Sequence, residues 1–526
     1  MALRRDSGVA TASGERWVAS SGSIQASRTA IDCLKAGGNV VDAALAAAAV
    51  NCVVLPQATS IGGDLFALVK LKGQPAFSIN ATGAAPAQAD IAAYKKLGLD
   101  FVPRFGGLGV QGPGFVAGWE AMRSRWGSRT RAELLEPAIA FAKGGFPMGW
   151  KLAEAISSHR DEMAKLPGFA DLFLDNGRPL WQGRKLRQPQ LAATLASIAQ
   201  EGPRAFYSGP VARDIARAVK ASGGFLHEGD LASISADIEA PLTVRYRGLD
   251  ILSQPPITQG VILLRALGLL EAAVPNPKSL AEADFWVQAA KCLRRAFNER
   301  LALLRDGPDR RQLAEDMLAG KGALPGPGVR PPLSGAHTTT VAVMDHEGNA
   351  VSLIQSVFSE LGSGVVAEES GVLLNNRLMG FFLDPGQPNA LAPRRRSMHT
   401  LHSYLVLEGD DVRFAGGSPG ADQQPQVNVQ VLTRMLDLGQ APAAAIDAPR
   451  WALVPGTRPE DIVRVAPGIE VEAGVPETTR NAFKAGDLPV KIKRAQRIGS
   501  SKIVGRTKGQ LGAWADWRRE GDVAAE

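Results

Sequence analysis

Three consecutive threonines, Thr338 to Thr340, stand at the mouth of a predicted β-hairpin. A threonine inside a chain has no base to accept the proton of its hydroxyl. If the peptide bond before Thr338 is cut, the freed α-amino group has a pKa of about 8 and can act as that base. Nucleophile and base then belong to one residue, an arrangement used in covalent catalysis. The alternative is that the threonines only begin a strand, since threonine is a good strand former.

The predicted hairpin brings a second hydroxyl close to Thr338. The stretch "MDHEGNAV" favours a turn in which Asp345 pairs with Asn349. Continued outward, this register places Thr338 opposite Ser356 on the same face of the sheet, where two hydroxyls can hydrogen-bond. A shift of one residue would move them to opposite faces. Nucleophile chemistry at Thr338 therefore depends on the register of the hairpin.

The elements before the hairpin are predicted to be mainly helical. Periodicity and stop signals predict a helix from Ile24 to Lys35, followed by an Ala-rich helix that Asn39 caps. Helical sequence also occupies the region from Gly260 to about Arg305. Residues 320–336 are rich in Pro and Gly, which predicts a surface linker.

The elements after the linker are predicted to be short strands followed by the helix "QVNVQVLTRMLDLG". This order of elements predicts layered α and β structure with its main boundary close to His337.

Composition and charge indicate a globular protein and argue against a nucleic-acid partner. The 526 residues are 45% hydrophobic and 21% charged, which is typical of globular proteins. The net charge is +7, and the densest basic stretch, residues 491–509, contains no aromatic residue on which a base could stack. A solvated basic surface explains it better than a nucleic-acid partner.

Cofactor, metal and membrane sites are likewise not expected. Three scattered cysteines are too few for a disulfide framework or a zinc site, and His399 and His402 have no third ligand cluster nearby. The apolar run from Val40 to Pro56 is shorter than a membrane span and contains Asp42. Because no apolar signal segment is visible at the N-terminus, we expect a cytoplasmic protein without membrane contact.

The stretch Gly416 to Gly420 fits the G-x-S-x-G pattern of serine hydrolases. In those enzymes the residue after the serine donates its backbone N–H to the oxyanion hole. Here that residue is Pro419, which has no N–H. Ser418 is therefore a poor candidate for a nucleophile.

With these motifs in place, the chain resembles the γ-glutamyltransferase family of Ntn hydrolases. The family begins its small subunit with Thr-Thr seven residues before the Asp of a similar hairpin, as Thr338 stands before Asp345. Further blocks follow in the family's order, namely "GSGVVAEESGVLLNN", "GGSPGADQQPQ" and "IDAPRW". Blocks of the large-subunit type precede the hairpin, namely "AGGNVVDAALAAA", "SIGGDLFALV", "GPGFVAGWEAM" and "AFNERLALLRD".

The resemblance implies an α+β fold, a four-layer αββα sandwich built from both halves of the chain. It implies autocatalytic cleavage between His337 and Thr338, with residues 1–337 as the large subunit and residues 338–526 as the small one, together one globular unit. The two chains would stay associated after cleavage, and the family commonly forms dimers of such heterodimers. The implied reaction is transfer of an amide's acyl group through an acyl-Thr intermediate.

The resemblance also assigns catalytic roles to single residues. Thr338 matches the nucleophile, its freed amine matches the base, and Ser356 matches a second hydroxyl that steadies the nucleophile. Gly420 and Ala421 match the pair whose backbone N–H groups form the oxyanion hole. The family usually has Gly-Gly there, and the Cβ of Ala421 leaves its N–H available.

Substrate-binding positions depart from the family pattern. His399 and Thr400 stand where the family has two serines that touch a substrate carboxylate, although His399 could instead be a satisfied histidine in a turn. Arg377, after Asn376, occupies a position at which the family holds the substrate's α-amino group. An arginine there suits a carboxylate instead.

These departures match the branch of the family that contains oxamate amidohydrolase. We therefore expect hydrolysis of a small amide that carries an anionic group, with Arg377, His399, Thr400 and Asn376 as candidate substrate ligands. A γ-glutamyl transferase or glutathione hydrolase is the alternative within the family. The alternative to an enzyme is a member of the family that keeps the fold but has no catalytic activity.

Overall fold

The computed structural model describes residues 8–303, 305–321, 338–454, 468–493 and 498–526. His337 and residues 322–336 of the predicted linker lie outside these ranges.

The helices of the described residues are, in chain order, α1 (Ile24–Lys35), α2 (Val40–Val54), α3 (Ile91–Lys96), α4 (Phe115–Trp126), α5 (Arg131–Gly144), α6 (Trp150–Met163), α7 (Phe169–Phe173), α8 (Pro189–Glu201), α9 (Arg204–Tyr207), α10 (Gly209–Ala221), α11 (Glu228–Leu231), α12 (Gly260–Ala273), α13 (Glu282–Leu303), α14 (Arg310–Leu318), α15 (Gln423–Leu436), α16 (Pro442–Asp447) and α17 (Glu477–Ala485).

The strands of the described residues are β1 (Ala10–Gly14), β2 (Trp17–Ser21), β3 (Asp64–Lys70), β4 (Phe77–Ala81), β5 (Phe146–Pro147), β6 (Leu174–Asp175), β7 (Arg178–Pro179), β8 (Lys185–Leu186), β9 (Asp237–Glu239), β10 (Leu242–Tyr246), β11 (Leu249–Ser253), β12 (Thr339–Asp345), β13 (Ala350–Ser356), β14 (Val366–Ala367), β15 (Val372–Leu373), β16 (Ser403–Glu408), β17 (Asp411–Gly417), β18 (Trp451–Val454), β19 (Gly468–Glu472), β20 (Val490–Lys493), β21 (Lys502–Thr507), β22 (Gln510–Ala515) and β23 (Asp522–Ala525).

Two seven-stranded antiparallel sheets form the centre of the molecule. Sheet I has the order β23-β2-β12-β13-β3-β4-β9, and sheet II has the order β1-β22-β21-β17-β16-β11-β10. Apolar side chains from both sheets, among them Val18 and Met344 of sheet I and Leu405 and Val504 of sheet II, pack in one cluster between them. The sheets therefore lie face to face, as in a two-sheet sandwich.

Helices cover the outer face of each sheet. Residues of α1, α2, α4 and α5 share one apolar core with sheet I, and residues of α12, α13 and α15 share another with sheet II. Strands β12 and β3 are buried almost throughout, because helices cover one face and the other sheet covers the second. This arrangement is the four-layer αββα sandwich, so the fold prediction is confirmed.

Local sequence signals predicted several elements correctly. The helix from Ile24 to Lys35 has the predicted bounds, and Asn39 caps α2 through bonds to the backbone N–H groups of Val41 and Asp42. The helical region from Gly260 to about Arg305 is two helices, α12 and α13. The break between them contains Pro275 and Pro277, which cannot continue a helix.

Position 338 does not separate two bodies in space. Sheet I contains β2 and β3 from before this position and β12 and β13 from after it, and sheet II is mixed in the same way.

No helix in the described ranges is both long enough and apolar enough to cross a membrane.

Candidate active site

The hairpin formed by β12 and β13 has the predicted register. Thr339 pairs with Gln355, and Val343 pairs with Val351. The next position outward brings the Thr338 hydroxyl to 3.1 Å from the Ser356 hydroxyl, to which it donates a hydrogen bond. The register prediction is therefore confirmed.

The turn sequence explains why the hairpin closes in this register. The backbone N–H of Asp345 donates to Asn349 O, and the Asp345 carboxylate accepts hydrogen bonds from the backbone N–H groups of Glu347 and Asn349. Gly348 takes a positive φ of 94°, which glycine adopts at little cost. A turn fixed by its own side chains thus sets the register seven residues outward, where Thr338 and Ser356 meet.

Ser356 links the hydroxyl pair to the loop that follows β13. Its Oγ also accepts a hydrogen bond of 2.8 Å from the backbone N–H of Phe358. Phe358 has a positive φ of 78°, a conformation that non-glycine residues seldom adopt. Thr338 is only 5% exposed and Ser356 is fully buried, so both hydroxyls lie in a water-poor environment.

Gly420 and Ala421 lie in the loop between β17 and α15, residues 418–422, which we call the oxyanion loop. Both have positive φ, 135° and 49°. Their backbone N–H groups donate to no other residue within the described ranges. The loop also precedes the N-terminus of α15, where the helix dipole favours negative charge. Two free N–H groups at such a place suit a developing oxyanion.

The oxyanion loop leaves sheet II close to the hairpin of sheet I. The hydroxyl of Ser352, in β13, donates to Gly416 O at 3.0 Å. A methyl group added at Gly417 would stand 3.4 Å from Thr340 Cγ2. The last residues of β17 thus lie against the strands that carry Thr338 and Ser356.

A buried cluster of three charged or polar side chains lies beside the hydroxyl pair. Asp64 begins β3 and pairs directly with Ser356 of β13. Its Oδ2 atom is 3.1 Å from Arg377 Nε and 3.1 Å from His399 Nε2. All three side chains are fully buried. The Asp64–Arg377–His399 cluster therefore joins the nucleophile region to two of the predicted substrate ligands.

His399 is neutral, with both ring nitrogens engaged. The backbone N–H of Leu401 donates to Nδ1, so Nε2 carries the proton and donates to Asp64. Burial lowers the pKa of His399 to about 4, and the charge of Arg377 lowers it as well, against the opposite effect of Asp64. His399 is thus a satisfied histidine, as the alternative held, but its partner is a buried carboxylate.

Asp64 remains ionised. Burial raises the pKa of its carboxyl, but the hydrogen bond from His399 and the positive charge of Arg377 outweigh burial and hold the pKa below its usual value. The carboxylate therefore compensates the buried guanidinium.

Arg377 has unused hydrogen-bonding capacity. Its guanidinium carbon stands 4.2 Å from the centre of the Phe358 ring, and Nε donates to Asp64. Neither Nη1 nor Nη2 has a hydrogen-bond partner among the described residues. Burial lowers the pKa of Arg377 to about 10, which still leaves it charged at neutral pH. Buried donors without partners are costly, and a planar anion would satisfy both.

The two other predicted substrate ligands differ in how they are engaged. Thr400 is buried, and its hydroxyl has no partner in the described part of the chain. The Asn376 side chain accepts from Ser359 N and donates to Arg104 O. Asn376 therefore supports the loops around the site, and its role as a substrate ligand stays a prediction.

Sequence reasoning missed Asp64. It belongs to the block "SIGGDLFALV", but it was not singled out as a site residue. The available signal was a carboxylate at the start of a strand whose next five residues are apolar. Such a position predicts a charge that needs a buried partner.

Ser418 has a structural role. Its Oγ accepts a hydrogen bond from Ser500 N and donates one to Pro419 O. This geometry agrees with the sequence argument against a serine nucleophile. Among the described residues no group of three or more His, Cys, Asp or Glu side chains is placed to hold a metal ion.

Comparison with known proteins places this fold and site in a family. The family model described as gamma-glutamyltranspeptidase matches residues 26–526, so the chain belongs to that family. It is 34% identical over 433 residues to the glutathione hydrolase-like YwrD proenzyme of Bacillus subtilis, covering 80% of this chain and 81% of that protein. It is also 34% identical over 450 residues to the oxamate amidohydrolase proenzyme of Klebsiella pneumoniae, covering 81% and 83%.

A solved structure shows the same fold over almost the whole chain. The cephalosporin acylase from Bacillus halodurans superposes with a TM-score of 0.86 at 28% identity, covering 98% of this chain and 97% of that one. The chain is thus an enzyme of the γ-glutamyltransferase family, in the class of amide hydrolases and acyl transferases. The two relatives named above are proenzymes, which fits a cleaved two-chain enzyme acting on a small substrate.

Proposed function

We propose that this enzyme cuts its own chain before Thr338 and then hydrolyses a small amide that carries a carboxylate. The observation that carries the substrate assignment is the buried guanidinium of Arg377, whose two Nη groups lack partners among the described residues. The position of Arg377 in a cluster with Asp64, opposite Ser356, supports a role next to the reacting bond.

Self-processing begins with attack of Thr338 Oγ1 on the carbonyl carbon of His337. The peptide C–N bond breaks as the acyl group moves to oxygen, and water then hydrolyses the ester. The products are the His337 carboxylate and a free Thr338 amine. Ser356, within hydrogen-bond distance of Oγ1, orients the hydroxyl for this attack.

Turnover repeats this chemistry on the substrate. Thr338 Oγ1 attacks the amide carbon, and the Thr338 amine accepts the hydroxyl proton. The Gly420 and Ala421 N–H groups stabilise the oxyanion. The amide C–N bond then breaks, the amine passes its proton to the leaving nitrogen, and water hydrolyses the acyl-Thr338 ester to a carboxylic acid.

Arg377 supplies the preference for an anionic substrate. Its Nη1 and Nη2 form a planar pair of donors that matches the two oxygens of a carboxylate. Asp64 holds the guanidinium through Nε and so leaves this pair free. A γ-glutamyl α-ammonium group would meet a cation here, which disfavours the alternative of a γ-glutamyl transferase or glutathione hydrolase.

The nucleophile is tested by intact mass and N-terminal sequencing of the purified protein. Wild type should yield fragments of 337 and 189 residues, the second beginning Thr-Thr-Thr-Val, and Thr338→Ala should remain whole. A wild-type chain that stays whole under all conditions would remove the base from the mechanism and favour the non-catalytic alternative.

The substrate class is tested with processed enzyme on two sets of amides. Oxamate, malonamate and succinamate carry a carboxylate, whereas γ-glutamyl-p-nitroanilide also carries an α-ammonium group. We expect hydrolysis of the first set. Higher kcat/KM for γ-glutamyl-p-nitroanilide would show that the glutathione-type alternative is correct.

Arg377→Met tests the clamp itself. We expect KM for the best anionic amide to rise about 10- to 100-fold, because a charge-assisted bond contributes about 1.5–3 kcal/mol. Arg377→Lys keeps the charge but loses the planar pair of donors, so its KM should lie between the values of wild type and Arg377→Met. An equal rise in KM for an uncharged amide of the same length would contradict a carboxylate clamp.

A further inference from the structure

A buried lysine lies behind the oxyanion loop. Lys502 begins β21, is 1% exposed, and pairs through its backbone with Gly417 of β17 and Ala515 of β22. Its Nζ donates a hydrogen bond of 2.6 Å to the hydroxyl of Ser500. A second, longer contact of 3.4 Å joins Nζ to Ser500 O. The ammonium group is therefore fixed on one serine.

Ser500 and its neighbour Gly499 in turn hold the oxyanion loop from both sides. The backbone N–H of Ser500 donates to Ser418 Oγ at 3.0 Å, before the pair Gly420–Ala421. The backbone N–H of Gly499 donates to Gln423 Oε1 at 3.1 Å, after it. A methyl group added at Gly420 would stand 3.5 Å from Gly499 Cα, so the two segments are in contact.

We propose that Lys502 is a positioning residue for the oxyanion hole. Its ammonium fixes Ser500, and the segment 499–500 then keeps Gly420 and Ala421 in the left-handed conformations that free their N–H groups. The inference rests on the proposed acyl-Thr338 chemistry, but it does not depend on the nature of the substrate. Lys502 itself touches neither nucleophile nor substrate.

The charged surroundings of Lys502 make the effect sensitive to pH. Burial lowers the pKa of Lys502 to about 7; Asp516 and Glu520 act against burial, and Arg519 and Arg450 act with it. A protonated amine donates a stronger hydrogen bond than a neutral one. The contribution of Lys502 is therefore largest below about pH 7 and weakens as pH rises through that value.

The test uses processed enzyme and p-nitrophenyl acetate, an activated ester without a carboxylate. The burst of p-nitrophenolate reports acylation of Thr338, which needs the oxyanion hole and not Arg377. We expect Lys502→Met and Ser500→Ala each to slow acylation about tenfold. The double variant should be no slower than the slower single one, because Lys502 acts through Ser500. For any amide that wild type hydrolyses, the variants should have a lower kcat, whereas their KM should stay within about twofold of the wild-type value.

Lys70→Met is the matched control, because Lys70 is also buried and hydrogen-bonded but lies at the far end of β3 from Asp64. It should lose stability and keep the wild-type acylation rate. Three outcomes would overturn the proposal: acylation by Lys502→Met at the wild-type rate, equal slowing by Lys70→Met, or multiplicative effects in the double variant. If Lys502→Met does not fold, a wild-type rate for Ser500→Ala alone overturns it.

The pH profile separates positioning from packing. The ratio of wild-type to Lys502→Met acylation rates cancels the titration of the Thr338 amine and should fall as pH rises from 6 to 8. Because burial also raises the pKa of Glu520 to about 7, the ratio is measured again in a Glu520→Gln background, where the fall should persist. A ratio independent of pH in both backgrounds would contradict an ammonium acting on Ser500.

The burst and amide hydrolysis also separate this proposal from the proposed substrate class. Amide hydrolysis that fails while the burst survives would count against the substrate class alone.

Discussion

Ser356 receives two hydrogen bonds at one oxygen atom, from the Thr338 hydroxyl and from the Phe358 backbone. The first orients the proposed nucleophile, and the second fixes the loop that carries the ring beneath Arg377. One small side chain thus connects the reacting group to the proposed carboxylate clamp.

Ser356→Ala should slow self-cleavage about 10- to 100-fold, because Thr338 loses the group that orients its hydroxyl. The free energy of unfolding should fall by about 1–3 kcal/mol, since the Phe358 N–H is left buried without a partner. Time courses of intact mass and urea unfolding measure the two effects. Ser356→Thr keeps the hydroxyl and is the control. Cleavage of Ser356→Ala at the wild-type rate would show that Ser356 has no part in the reaction.

Two buried histidines give the protein a pH-dependent stability. Burial lowers the pKa of His402 to about 4, as it does that of His399, from an unfolded value near 6.5. Between about pH 6.5 and pH 4 the unfolded chain therefore binds more protons, so the free energy of unfolding falls as pH falls. Below about pH 4 both states are protonated and this contribution stops changing.

His402→Gln should make that fall less steep, because it removes a group that binds its proton at higher pH in the unfolded chain than in the folded one. Urea unfolding at half-unit steps from pH 7 to pH 4 measures the slope. His346→Gln, at an exposed position in the hairpin turn, is the matched control and should keep the wild-type slope. An unchanged slope in His402→Gln would contradict a buried neutral histidine at this position.

At the scale of elements, α2 is the buried support of sheet I. All fifteen of its residues are buried, and small alanines let it approach β12 and β13 closely. Gln355 of β13 donates to Ala48 O of this helix at 3.0 Å. The hairpin that carries the hydroxyl pair therefore rests on α2.

Asn39→Ala should destabilise the protein by about 1–2 kcal/mol, because it removes the N-cap of α2 and the bond from Asn39 Nδ2 to Trp126 O. Thermal or urea unfolding measures the loss. Asp90→Ala removes the N-cap of α3, a short helix at the surface, and should cost less. An equal decrease in the free energy of unfolding in the two variants would mean that the burial of α2 does not increase the stabilisation that its N-cap provides.

The elements also show which parts of the site the sequence could predict. The hairpin register and the Asn39 cap depend on residues close together in the chain, so local patterns sufficed. The Asp64–Arg377–His399 cluster joins Asp64 to two residues that lie more than 300 positions later in the chain. Only the pairing of β3 with β13 and the packing of the 399–402 segment bring them together, and no local pattern encodes either.

At the scale of the whole molecule, both sheets contain strands from before and from after position 338. In sheet I, β12 lies between β2 and β13, so the proposed small chain would be hydrogen-bonded to the proposed large chain along its first strand. In sheet II, β16 pairs with β11, which would belong to the proposed large chain. Separation of the two chains would break both sheets.

We therefore expect processed enzyme to elute as one species in gel filtration and to give two bands on a denaturing gel. The two chains should separate only under conditions that unfold the protein. Each chain expressed alone should be insoluble or unfolded, because each would expose unpaired strand edges. A soluble, folded small chain obtained alone would contradict this interdependence.

The composite sheet has a consequence for quality control. Thr338 reaches Ser356 only when β12 has paired with β13, and Ser356 is held in place by its pairing with Asp64 from the other half of the chain. A chain that has misfolded in either half lacks the geometry for the proposed cut. The cleaved fraction of a preparation would then serve as a built-in record of how many molecules had reached the native state.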